Sequence, residues 1–165
     1  MWAHAYRGDL SQALGGDCPP AGAQFRLTEG MGSAQPIAAL SLTHAEFLLD
    51  GRAVDQRLVV DASGSAEMKS VDVLSAYMKT LHQEALQRHV EGVVFDMRNL
   101  QFLNSGCFKV LVGWIANAAR ATPSYRITFV GNCEVAWQKR SLGALRCVDE
   151  RIVTLEGVDA DLGPP

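Results

Sequence analysis

The residues of this chain best able to do chemistry stand together at Asn104-Ser105-Gly106-Cys107, where a short apolar strand gives way to an apolar-faced helix. A serine hydroxyl at such a junction can cap the helix. A phosphate placed on it would meet free backbone N–H groups and the positive end of the helix dipole. Ser105 is therefore the plausible switch position. Cys107 falls in the first turn, where a helix N-terminus can lower a thiol pKa. Neither residue has a recognisable base beside it in sequence. A nucleophile there would need His44, His82 or His89 brought from afar to within roughly 3 Å. Other catalytic patterns fail: GxGxxG, GxxxxGK and HExxH are all absent. A nucleophile elbow fails too, because Leu103 and Cys107 stand where its glycines would be. His82 and His89 share one helical face two turns apart, too far to ligate one metal unaided. A solvated helix face is the expectation for them, with no metal and no cofactor.

The elements that must position these residues follow from periodicity. Residues 45–50 and 57–62 read as two strands of a hairpin with its turn at Asp50-Gly51. Val71, Leu74, Met78, Leu81, Ala85 and Leu86 paint one face of a helix over residues 71–89. Val93-Val94-Phe95 is a continuous apolar run, as a buried strand requires. Beyond Ser105, the residues Phe108, Leu111, Val112, Ile115 and Ala119 restore the helical period until Pro123 ends it. Trp114 alternates with that stripe and is expected to be partly exposed. A strand at 127–130, a helix at 134–146 and a strand at 152–155 complete the order β-β-α-β-α-β-α-β. Such an order predicts an α/β sandwich of about three main helices on a mixed, mostly parallel sheet, opened by an antiparallel hairpin.

Composition bounds the rest. With 165 residues, 48 % of them hydrophobic, the chain has material for one core. Its net charge of −3 comes from mixed acids and bases. No basic stripe points to nucleic acid, and no polybasic or long apolar run points to a membrane. Cys18, Cys107, Cys133 and Cys147 lie far apart, which suits a reduced, cytoplasmic protein with the last three as small buried hydrophobes. Glycines and prolines interrupt residues 1–40, read as a flexible extension in which Met31 would serve equally well as a start. The domain is expected over 41–157, with a tail at 158–165.

Asp96-x-x-x-Leu100-x-Phe102-Leu103-Asn104-Ser105, following Val93-Val94-Phe95, resembles the signature of STAS domains, the anti-sigma factor antagonist modules of bacteria. Ala136-Trp137-Gln138-Lys139-Arg140-Ser141-Leu142 resembles a motif of a subgroup of small STAS-like regulators, in which Leu-Asn-Ser replaces the usual Asp-Ser. Gly106-Cys107-Phe108 stands where the family has Ser-Gly-Leu. The resemblance implies a STAS-like sandwich and a non-enzymatic signalling regulator that binds a protein partner. It implies a kinase-like anti-sigma factor that phosphorylates Ser105, a PP2C-type phosphatase that resets it, or a signalling enzyme such as a diguanylate cyclase as target. The state expected is a monomer or weak homodimer. Asn104, Gly106, Cys107, Phe108, Trp137 and Gln138 are the candidate partner-binding residues. Trp137, at helical spacing from Ser141 and Leu145, can equally pack across the sheet edge. Two other functions stay open: a small-ligand sensor with a pocket between the start of the Ser105 helix and Trp137, and an enzyme with Ser105 or Cys107 as nucleophile.

Overall fold

The computed structural model describes residues 33–158. The possible start at Met31 and most of the expected tail lie outside them. Six strands, β1 (Gln35–His44), β2 (Phe47–Val54), β3 (Arg57–Ala66), β4 (Gly92–Leu103), β5 (Arg126–Val130) and β6 (Val153–Glu156), form one sheet in chain order. The first two pairings are antiparallel and the remaining three parallel. A 3₁₀ turn (Met68–Ser70) leads into α1 (Val71–Gln87); α2 (Ser105–Arg120) and α3 (Ala136–Val148) follow β4 and β5.

Because the strand order never reverses, each right-handed crossover returns on the same side of the sheet. All three helices therefore share one face. There the alternate strand residues Leu58, Val60, Phe95, Met97, Ile127 and Phe129 meet Leu74, Leu81, Leu111, Ile115, Leu142 and Leu145 in one continuous core. Phe95, Trp114 and Phe129 form its aromatic centre, with ring centroids 6.0 Å apart pairwise. Among the described residues the opposite face carries a small cluster of Val59, Val94 and Val130. A sheet without a reversal also has no switch-point crevice of the doubly wound type. The functional surface must be sought at strand ends.

The order expected from the sequence is present, with one strand more in front. β1 begins inside the stretch read as flexible. Its buried residues, Ile37 and Leu40, are three apart because the pairing with β2 slips between Pro36 and Ser41, and a bulge of this kind erases the period of two. Its proline is tolerated because β1 is an edge strand. The hairpin turn is not at Asp50-Gly51. Gly51 sits inside β2 opposite Val60, where a Cβ would come within 2.4 Å of Leu40 Cβ. The turns fall at Ala45-Glu46 and Asp55-Gln56, and Ala45 and Asp55 adopt φ of 53° and 52° without glycine. The segment read as a loop after Phe95 is instead the second half of a 12-residue β4. Its pairing with β3 slips twice, so the buried Met97 and Leu100 are again three apart.

Helix α1 ends at Gln87, just short of the expected 89, and His89 turns the chain with φ 50°. Trp114 is buried, contrary to expectation, because its ring completes the Phe95–Phe129 cluster. Cys147 is exposed rather than buried, on the solvent side of α3. Cys133 is disulfide-bonded rather than reduced. Among the described residues no helix is long and apolar enough to cross a membrane.

Candidate functional site

β4 outruns β5. Their pairing stops at Asp96–Val130, yet β4 continues to Leu103 and delivers the chain into α2. Among the described residues, 97–103 therefore have β3 on one side and no strand on the other. Backbone groups in such an overhang need other partners. Gln138 supplies two of them. Fully buried, it donates from Nε2 to the carbonyls of Met97 (2.7 Å) and Leu100 (2.9 Å), while its Oε1 accepts from Asn132 N–H (2.7 Å). Trp137 supplies a third, its indole N–H donating to Gln101 O at 2.8 Å. The Trp-Gln pair thus braces the strand that carries Ser105. Gln138 is consequently no partner-binding residue: no part of it reaches the surface. Trp137 remains half-buried, with its polar handle already engaged.

At the strand's end, Asn104 is held by its N–H on Ala66 O (2.8 Å) and adopts extended backbone angles. Its side chain accepts from Gly106 N–H at 2.8 Å. Asn104, and not Ser105, is the helix cap. Its side chain satisfies one of the orphan donors of the first turn. Ser105 is the first helical residue and is exposed, so its hydroxyl is free of the capping duty expected of it. Gly106 is needed for fit, because a Cβ would approach Val71 Cγ2 to 2.9 Å and Asn104 Oδ1 to 3.1 Å.

Cys107 points inward. Its thiol is fully buried against Glu67 O (Sγ···O 3.5 Å). Burial pushes the thiol pKa up, the reverse of the lowering expected from the helix end. Cys107 is thus neither a partner contact nor an activated nucleophile. Among the described residues no histidine hydrogen-bonds to Ser105 or Cys107. His82 is engaged instead with the Tyr125 hydroxyl at 2.7 Å.

Asp96, the first residue of the signature, is a structural anchor. Its carboxylate accepts from the backbone N–H of Arg98 (3.0 Å) and from the Arg98 guanidinium (2.6 Å at Nη2), which holds the guanidinium pKa above its usual value.

Two residues not singled out from the sequence complete the surface. Met68, 67 % exposed, lies beside the start of α2, its Sδ 3.8 Å from where a Gly106 Cβ would be. Phe102, 48 % exposed, pairs with Ser65 near the end of β4. Phe108, half-buried, packs against the core from the first turn of α2. No sequence signal marks Phe102, since plain alternation from Leu100 would bury it. It stands two residues after the buried Leu100, beyond the bulge that reverses the sense of the alternation.

Two cavities among the described residues lie away from the space between Ser105 and Trp137. One of about 300 Å³ separates α1 from α2, and one of about 510 Å³ lies along Arg57, Gly92 and Arg126 at the opposite end of the parallel strands.

No family model and no curated protein matches the chain. Solved structures similar to it include an anti-sigma factor antagonist from Mycobacterium paratuberculosis, at a TM-score of 0.48 and 16 % identity over 81 % of this chain and 94 % of that one. A second is the anti-sigma factor antagonist SpoIIAA in its unphosphorylated form, at a TM-score of 0.48 and 12 % identity over 65 % and 86 % respectively.

Proposed function

We propose that this chain is a non-enzymatic regulator of the anti-sigma factor antagonist type, which binds a protein partner through the surface around Ser105 and is controlled by phosphorylation of that serine. The observation that carries the reading is the exposed Ser105 at the first position of α2, three residues after the exposed Phe102 and next to Gly106, near which the exposed Met68 lies. The resemblance of the Asp96-to-Ser105 run to the STAS signature supports it.

The local chemistry suits a switch that acts on binding and spares the fold. Asn104 already caps the helix, so modification of Ser105 removes no native hydrogen bond. A phosphate brings about −1.5 to −2 charges to the positive end of a helix dipole, where its own domain tolerates it. Pressed against a partner that covers Met68 and Phe102, the same charge would lose its hydration without a matching cation. The partners in this reading are a kinase-like anti-sigma factor with a PP2C-type phosphatase, or a signalling enzyme such as a diguanylate cyclase. The free state in this reading is a monomer or weak homodimer.

Intact-mass measurement after incubation with the candidate kinase, comparing wild type with Ser105→Ala, tests the acceptor. A mass gain of one phosphate in the wild type alone is expected, and equal gain in both excludes Ser105. Partner capture should survive Ser105→Ala and be lost in Ser105→Asp; retention in both would reject control by charge.

A further inference from the structure

The groove between α1 and α2 is built in a way the Ser105 surface does not explain. Gly113 lies in the interior of α2, exposed, and a Cβ added there would meet nothing within 4 Å. Its φ is not positive. Neither close packing nor backbone conformation requires glycine, which is among the least favourable residues for a helix interior. What its missing side chain does is hold the groove open, a space of about 300 Å³ at the lower end of the range usual for small-molecule sites. Gly113 is eight residues from Ser105, so the groove lies about 12 Å further along the helix.

The lining has a definite polarity. Met78 and Trp114, both buried, and the half-buried Val110 give it an apolar bed. Trp114 N–H donates to the Tyr125 oxygen at 2.9 Å. The Tyr125 hydroxyl hydrogen has no other acceptor among the described residues, which assigns it to His82 Nδ1 at 2.7 Å. Accepting at Nδ1 fixes the neutral ring as the Nε2–H tautomer. Nε2–H has no partner among the described residues, so His82 brings a free donor to the groove. Lys79 is the sole charged residue of the described lining, and it makes no ion pair among the described residues. No carboxylate is among the described lining residues.

We infer that the α1–α2 groove binds a small organic anion, its apolar body over Met78, Val110 and Trp114 and its acid group at Lys79 and His82. The site is separate from the partner surface and does not depend on it. It would give the regulator a second input from a small molecule.

The test is a titration of the ¹⁵N-labelled full chain with benzoate, and with benzamide as a neutral probe of like shape, followed by two-dimensional NMR. Benzoate should shift the Gly113 amide and the His82 ring saturably in the low millimolar range. Gly113→Leu should fill the groove, keep or raise the melting temperature, and weaken benzoate by about tenfold or more. If Gly113→Leu does not fold, the milder Gly113→Ala must still weaken benzoate. Lys79→Gln should weaken benzoate and leave benzamide unchanged. Absence of saturation at Gly113 and His82, or unchanged affinity in the folded Gly113 variant, overturns the site. Benzamide binding as tightly as benzoate overturns its anionic class.

Discussion

Replacing Gln138 by leucine should be among the most destabilising single changes at this end of the molecule, although the new side chain is apolar and of similar size. The substitution leaves three backbone groups without partners: the carbonyls of Met97 and Leu100 and the N–H of Asn132. Met97 and Leu100 are both essentially inaccessible, so water cannot readily replace the amide. A buried polar group left unmade costs about 1–3 kcal/mol. Asn132 is only half-buried, and water can take its place at little cost. The two carbonyls thus set a loss of about 2–6 kcal/mol, with about 4 as the central value. At a urea m-value of about 1–3 kcal/mol/M, the midpoint should fall by roughly 2 M. Urea unfolding followed by far-UV circular dichroism measures this. Hydrogen exchange adds a regional readout, because amides in residues 97–105 should lose more protection than those of β2. Trp137→Phe is the contrast: it removes one bond at a half-buried site, and the cost should stay near 1 kcal/mol. A Gln138→Leu protein within 1 kcal/mol of wild type would refute the idea that this side chain braces the overhanging strand.

Asn104→Ala removes the cap of α2 and should cost about 1 kcal/mol, read as a lower urea midpoint; no change would mean the Asn104–Gly106 bond contributes nothing. Met68→Glu combined with Phe102→Glu should abolish partner capture while leaving the melting temperature nearly unchanged, since both side chains are exposed; undiminished capture would place the interface elsewhere. His82 supplies a pH signature. Burial lowers its folded pKa below 6.5, so on acidification the unfolded chain takes up a proton before the folded one does. Stability should therefore decline as pH falls below about 6.5 and level off below the folded pKa. Urea midpoints from pH 7.5 to 5 should fall more steeply in wild type than in His82→Gln, and parallel curves would contradict the assignment.

Helices and parallel strands were legible in the sequence because their apolar residues keep strict periods. Val71 to Leu86 carries one clean helical stripe, and Val93 to Phe95 one continuous run. β1 and the outer half of β4 were not legible, for one shared physical reason: register slips at Pro36/Ser41 and at Asp61/Ser63 and Gly64/Ser65 put buried residues three apart. A period of three imitates neither a strand nor a full helix. The turns were hidden because Ala45 and Asp55, not glycine, take positive φ. At the site, the position of Ser105 was legible and the division of labour around it was not. Asn104 and Ser105 are both good caps by type, and only the backbone hydrogen bond to Ala66 decides which of them sits in the cap position. Gln138 looked like a surface residue because glutamine usually is one. What makes it internal is the length difference between β4 and β5, which no local pattern contains.

That length difference also explains how the proposed switch position at Ser105 is supported. The seven residues 97–103 extend β4 about 23 Å beyond its last pairing with β5, at about 3.3 Å per residue. An unsupported extension of that length would fray, and Ser105 would be one mobile side chain among many. Here β3 holds one edge through the bulged pairing, Trp137 and Gln138 hold carbonyls at the other, and Asn104 fixes the entry to α2. Each support acts on backbone or on a neighbour, and none uses the Ser105 hydroxyl. A rigid platform whose stability is indifferent to one exposed hydroxyl is what a reversible covalent switch requires. In the proposed switch, a phosphate on Ser105 would change what the surface can bind while the folded state beneath it stays as it was.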